Sequence, residues 1–157
     1  MTTFDFGYGP VPAHQHSNGG GWVADTAKVA DTAYVGPDAR VYGDAQVSGD
    51  AQVFGNAMVS GNAWVFGSAM VFGSAQVYGN AMVSGSARVA HNARVTDNAW
   101  VSDDAQVYGD ARVSGNARVY GNARVYGDAR VSQEDMFIEM NGKRYKLVEG
   151  IEDDLES

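Results

Sequence analysis

Residues 111–116 read Ala-Arg-Val-Ser-Gly-Asn, and close variants of this six-residue unit fill most of the chain. A valine stands at every sixth position from Val23 to Val131. An alanine precedes each of these valines by two positions, except before Val23 itself. Chance does not hold one register over so long a stretch, so the pattern predicts a repeat protein.

The alternation inside each unit predicts a short strand. In Ala-x-Val-x the alanine and valine face one side, and the two variable residues face the other. The Gly-Asn or Gly-Asp that follows tolerates a positive φ and turns the chain sharply. One such strand cannot bury its apolar side alone, whereas stacked copies can, so the fold class is all-β and the architecture is a solenoid.

The frame Val-x-Gly-Asn/Asp-Ala-x resembles the hexapeptide motif of left-handed parallel β-helices, in which three hexads form one triangular coil. The resemblance implies a single-domain left-handed parallel β-helix of about six coils. At roughly 4.8 Å per coil, the stack would be about 29 Å tall. The left hand follows from the resemblance alone, because crossover rules favour the right hand.

Two terminal segments flank the predicted solenoid of residues 22–132. The arm, residues 1–21, carries Phe4, Phe6 and Tyr8 just before Trp22, too many aromatic residues for a disordered tail. We expect the arm to fold over the first coil or to dock on another structural protein.

The C-terminal segment, residues 133–157, is predicted to be a hairpin cap followed by an acidic tail. Asn141-Gly142 lies between two extended runs, which is a strong signal for a β-hairpin. From Glu152 onward the chain reads as a solvated acidic end.

Composition limits the partners. The net charge of −8 argues against nucleic acid and against an anionic membrane surface. The chain has no cysteine, so it has neither disulfides nor thiolate metal sites. The first residues show no secretory signal, which predicts a cytoplasmic protein, with a virion component as the other location.

Large apolar residues occupy outward positions that recur every 18 residues. Such residues on a flat sheet are costly unless covered, and interfaces are enriched in aromatic residues and methionine. We expect a homotrimer that assembles through the following positions: Phe54, Trp64, Phe66, Met70, Phe72, Met82 and Trp100.

Enzymes of this fold are the first alternative. The acyltransferases that the motif resembles use a histidine base and interrupt the hexads with a loop, and this chain has no interruption. The carbonic anhydrases of the fold bind zinc through three histidines shared between subunits. The histidines here are His14, His16 and His91, which are candidate zinc ligands if they converge in an oligomer. No catalytic residue and no cofactor site is predicted.

The function favoured by the sequence is structural, a rigid non-enzymatic module for assembly. Phage and prophage proteins use short repeats with capping arms, so a virion or tail-associated role follows by analogy. A solenoid that binds a glycan or another protein through its flat faces is the second alternative.

Overall fold

The computed structural model describes residues 2–132 and the backbone of three further strands within 137–154. The described residues form strands and turns, with no helix that could traverse a bilayer. In chain order the strands are β1 (Thr3–Asp5), β2 (Pro10–Gln15), β3 (Trp22–Ala24), β4 (Lys28–Val29), β5 (Tyr34–Val35), β6 (Arg40–Val41), β7 (Gln46–Val47), β8 (Gln52–Val53), β9 (Met58–Val59), β10 (Trp64–Val65), β11 (Met70–Val71), β12 (Gln76–Val77), β13 (Met82–Val83), β14 (Arg88–Val89), β15 (Arg94–Val95), β16 (Trp100–Val101), β17 (Gln106–Val107), β18 (Arg112–Val113), β19 (Arg118–Val119), β20 (Arg124–Val125), β21 (Arg130–Val131), β22 (Phe137–Met140), β23 (Lys143–Val148) and β24 (Ile151–Asp154).

Every third strand of the repeat belongs to the same parallel sheet, so the chain has three faces. Face 1 contains β3, β6, β9, β12, β15, β18 and β21; face 2 runs from β4 to β19 and face 3 from β5 to β20 in steps of three. Paired residues are 18 apart, as for Trp64 and Met82 on face 2. The first coil is therefore β3–β5 and the sixth is β18–β20, which confirms the predicted β-solenoid of about six coils.

The interior contains the repeated alanines and valines. From Ala33 to Val131 these side chains are at most 2% exposed, and they form one continuous cluster. In the first coil Val29 is only partly buried, whereas Val23 and Val35 are fully buried, because the arm hydrogen-bonds to their two strands and β4 is the edge strand of face 2. The predicted assignment of alanine and valine to the inside is confirmed.

The corners depend on residues with positive φ. Gly61 has a φ of +64°, and a Cβ added there would lie 3.0 Å from the amide nitrogen of Gly79 in the next coil. Three non-glycine residues adopt the same conformation, namely His91, Asp97 and Asp103. An aspartate can offset the strain with a hydrogen bond, since the N–H of the next corner residue, Gly115, donates to Oδ2 of Asp97 at 3.0 Å.

The N-terminal arm folds back onto its own solenoid. Strand β1 pairs antiparallel with β2, and β2 pairs antiparallel with β3, which extends face 1 beyond the first coil. The ring of Phe4 stacks on Trp22 at 4.7 Å between centroids, and Phe6 stacks on Tyr42 at 4.9 Å. Of the two alternatives for this arm, folding over the first coils is the one observed, and docking on another protein stays a prediction.

Three antiparallel strands continue face 1 at the other end. Strand β22 pairs with β21 and β23, and β23 pairs with β24. The predicted Asn141-Gly142 turn lies outside the described residues, as do 155–157 of the acidic tail. Residues 152–154 of that predicted solvated end belong to strand β24, since the other edge of β23 offers backbone groups for pairing. The left hand of the coils stays a prediction from the resemblance.

Candidate functional site

Face 2 presents two outward columns of side chains, one on each side of its valines. Column 1 precedes the valines and contains Lys28, Gln46, Trp64, Met82, Trp100 and Arg118. Column 2 follows the valines and contains Ala30, Ser48, Phe66, Ser84, Ser102 and Tyr120. Each coil adds one residue to each column, so neighbours within a column are 18 residues apart in the sequence.

Column 1 holds both of the exposed tryptophans of this face. Trp64 pairs in register with Met82, and Met82 with Trp100, so the three outward side chains lie at consecutive heights. The two tryptophans are 42% and 43% exposed, whereas Met82 between them is half-buried. Phe66 lies beside Trp64 with an edge-to-face ring contact at 6.0 Å. The structure therefore brings together four of the residues predicted to form an interface.

The other three predicted residues lie on face 3. The rings of Phe54 and Phe72 stack almost parallel, 5.0 Å apart at an angle of 3°. Met70 is in β11 of the same face, two residues before Phe72, and all three side chains are half-buried. Part of this second apolar strip is satisfied within the chain by the stacked pair, so less of it is left for a partner.

An open trough crosses the C-terminal part of face 2. Its lining residues are Asn98, Trp100, Ser102, Asp103, Asn116, Arg118 and Tyr120. The guanidinium carbon of Arg118 lies 5.3 Å from the centre of the Trp100 ring, a cation–π contact that covers one face of the indole. The sequence reasoning missed this contact, although the 18-residue spacing puts Arg118 directly after Trp100 in column 1.

The three histidines each have a separate neighbour. Nδ1 of His14 lies 2.8 Å from Oδ1 of Asp25 on the surface, whereas Nε2 of buried His16 lies 2.9 Å from the carbonyl oxygen of Ala33. A carbonyl only accepts, so this nitrogen of His16 is the donor. His91 occupies the corner between β14 of the fourth coil and β15 of the fifth, with its ring 6.3 Å from that of Tyr108. Residues 2–132 contain no group of three or more His, Cys, Asp or Glu side chains that could hold a metal ion.

A ladder of asparagine amides runs along the corner before face 2. Nδ2 of Asn62 donates to Oδ1 of Asn80 at 3.2 Å, and Asn80 and Asn98 continue the ladder to Asn116 at 3.3 Å per step. These side chains are exposed and point along the solenoid axis into each other. The ladder therefore stiffens this corner, and the recurrence of asparagine every 18 residues was the signal that could have predicted it.

The geometry agrees with a comparison against known families. The model of the YdcK beta solenoid repeat matches residues 51–67, 75–90, 105–121 and 117–133, together less than half of the chain. No curated protein matches the chain. No solved structure matches it either. The matched repeats and the stacked parallel coils agree, and the chain is a β-solenoid repeat protein.

Proposed function

We propose that this protein is a rigid, non-catalytic structural module that assembles with copies of itself through the outward apolar columns of its solenoid. One observation carries the proposal, the ladder of Trp64, Met82 and Trp100 on the flat surface of face 2. Both tryptophans leave more than two fifths of their surface in water. Contiguous exposed apolar surface of this kind marks interaction sites, and tryptophan is among the residues most enriched at binding hot spots.

The solenoid is stiff because backbone hydrogen bonds join each coil to the next. In each coil an outward-facing residue donates its N–H to the coil below, as Gln46 does to the carbonyl of Ala63 at 2.9 Å. Residues at the corners do the same, as Asn62 does to Gly79 at 2.8 Å. A solenoid whose strands and corners are both hydrogen-bonded between coils keeps its outward columns straight. Such a rod suits a spacer or a component of a larger assembly, including the virion or tail-associated role suggested by analogy.

Self-association is favoured over glycan binding because the Trp100 ring is already covered on one face by another side chain of the same chain. A sugar stacks on the open face of an aromatic ring, and the trough beside Trp100 offers amide and hydroxyl groups for hydrogen bonds. The Arg118 guanidinium, however, already lies over that ring. Glycan binding is therefore the second candidate function, supported by the polar lining of the trough.

An enzyme of the acyltransferase or carbonic anhydrase type has less support. A zinc site shared between subunits needs imidazole nitrogens that are free to turn towards the metal. His16 is buried, with its Nε2 on a backbone carbonyl, and His14 lies against Asp25. Each ring keeps a second nitrogen that could bind a metal, so the lower support comes from the burial of His16 and from the separate neighbours of the three histidines.

Native mass spectrometry of the protein tests the proposal, because it counts subunits and detects bound metal together. We expect a metal-free oligomer, and three is the number of subunits expected from the sequence. Trp64→Ser should shift the population towards monomer, while Arg112→Ser, a change at an exposed outward position of face 1, should leave it unchanged. A wild-type protein that stays monomeric at high concentration would contradict the proposal, and zinc in a whole-number ratio would favour the enzyme.

A further inference from the structure

We propose that face 2 packs against face 2 of a second copy, with the two solenoids side by side and parallel, related by a two-fold axis along their length. The inference rests on the proposed self-association and specifies its geometry. It comes from the sizes of the side chains at each height of columns 1 and 2.

The two columns form a ridge beside a groove. At the fourth and fifth coils, column 1 carries the large side chains of Met82 and Trp100. At the same heights, column 2 carries the small side chains of Ser84 and Ser102. Phe66 bounds this serine groove at the third coil and Tyr120 bounds it at the sixth. A flat face with a ridge and an adjacent groove of the same length is complementary to itself.

A two-fold axis parallel to the solenoid exchanges the columns. It lays column 1 of one copy over column 2 of the other at equal height, so the ridge of each copy enters the groove of its partner. The facing pairs, each formed twice by symmetry, are Trp64 with Phe66, Met82 with Ser84, Trp100 with Ser102 and Arg118 with Tyr120. Aromatic contact at the third coil and a cation–π contact at the sixth flank the two large-on-small pairs.

The trough on face 2 fits this arrangement. Its lining includes Ser102 and Tyr120. The partner's Trp100 would lie over Ser102, and the partner's Arg118 over Tyr120, so both side chains would enter the trough. The polar corner residues Asn98 and Asn116 would then form the rim of the interface, as is usual around an apolar centre.

Charge and area are compatible with a stable pair. Neither column contains a carboxylate, and the charged members are Lys28 at the N-terminal rim and Arg118. A face about 20 Å wide, from six residues at roughly 3.3 Å each, and about 29 Å tall, covers roughly 600 Å² on each copy. The pair would bury roughly 1,200 Å² in total, which reaches the lower limit for specific complexes.

Other packings of the same face fit less well. If the solenoids ran antiparallel about the fourth coil, Met82 would face its own copy and Ser84 would face Ser84, leaving the groove empty. A ring of three, the number predicted from the sequence, would lay face 2 on face 3 of the next copy. In that ring Trp100 would lie over Tyr108 at the fifth coil, a large side chain on another large one, where the pair offers the small side chain of Ser102.

Cross-linking at Lys28 distinguishes these packings. The chain has no cysteine, so Lys28→Cys introduces a single thiol at an exposed outward position of the first coil. In the parallel pair the two thiols lie at equal height across sheets about 10 Å apart. In the antiparallel pair they lie six coils, or about 29 Å, apart. A short bismaleimide should therefore link the parallel pair, whereas Arg112→Cys on face 1 should give no linked product.

Filling the groove is the second test. Ser102→Trp should weaken dimerisation at least about tenfold in Kd, measured by sedimentation, because the partner's Trp100 loses its place. Ser114→Trp makes the same change on face 1 and should leave Kd within about twofold. A dimer that cross-links at Lys28→Cys and responds to Ser102→Trp supports the pairing. A trimer, or a dimer that does not cross-link there, overturns the pairing and leaves self-association standing, whereas a monomer overturns both.

Discussion

Replacing Val77 with alanine should measure how rigidly the solenoid interior is packed. Val77 is fully buried in the fourth coil of face 1, between Val59 and Val95 of the neighbouring coils. Losing two methyl groups removes about 1.6 kcal/mol of burial at roughly 0.8 kcal/mol each. The coils above and below cannot move together to fill the space, because backbone hydrogen bonds hold their spacing. With the cavity left behind, we expect a total loss of about 2–3 kcal/mol.

The matched control is Val29→Ala. Val29 has the same place in the repeat but is only partly buried, since it lies in the edge strand of face 2. We expect its replacement to cost less than half as much, about 1 kcal/mol or less. Urea unfolding followed by circular dichroism, at one protein concentration for all variants, gives the free energy of unfolding. Equal losses at the two positions would refute the reasoning, since burial and enclosure are then not what stabilises the valines.

Two further changes test the corners and the arm. Gly61→Ala should lower the free energy of unfolding by at least about 1–2 kcal/mol, because the new Cβ meets the backbone of the next coil in addition to the strain of a positive φ. Gly20→Ala, which has a φ of +82° and no atom within 4 Å, should cost less, and equal losses in thermal unfolding would contradict this account. The turn between β1 and β2 should loosen in acid, because the N–H groups of Gly7 and Gly9 donate to the Asp5 carboxyl and hold its pKa below the usual value. A lowered pKa stabilises this turn above the ordinary aspartate value, about pH 4, and that stabilisation is lost as the pH falls through the folded value. Aromatic NMR signals of the arm should therefore change below about pH 4; Asp5→Asn should remove that dependence, and a variant titrating like the wild type would count against Asp5.

The proposed assembly gives the exposed apolar residues of the solenoid surface a function. Exposed tryptophan on a monomer would be a liability, whereas in a paired rod the same residues form the centre of an interface. The arginine and serine positions then acquire roles of their own. Arg118 caps the Trp100 ring within the chain, and Ser102 would make room for the partner in the proposed pair.

The sequence by itself determined the inside of this protein. Whether an alanine or a valine faces inward depends on alternation along a few residues, and whether the chain turns depends on the glycine that follows. Both are local properties, so they could be read from one hexad and then applied to all of them. The outward columns could also be placed, because a constant 18-residue spacing makes vertical neighbours a matter of counting once three hexads form a coil.

Only the tertiary structure decided how the regular and irregular parts meet. The stacking of Phe6 on Tyr42 joins residues from a segment without a repeat, so no spacing predicts it. The hydrogen bond from Gly115 to Asp97 and the cover that Arg118 places over Trp100 depend on side-chain direction as well as on register. These contacts arise between coils or between the arm and a coil. They form because the folded chain brings together residues that are far apart in the sequence, and a local pattern of residues does not specify which of them meet.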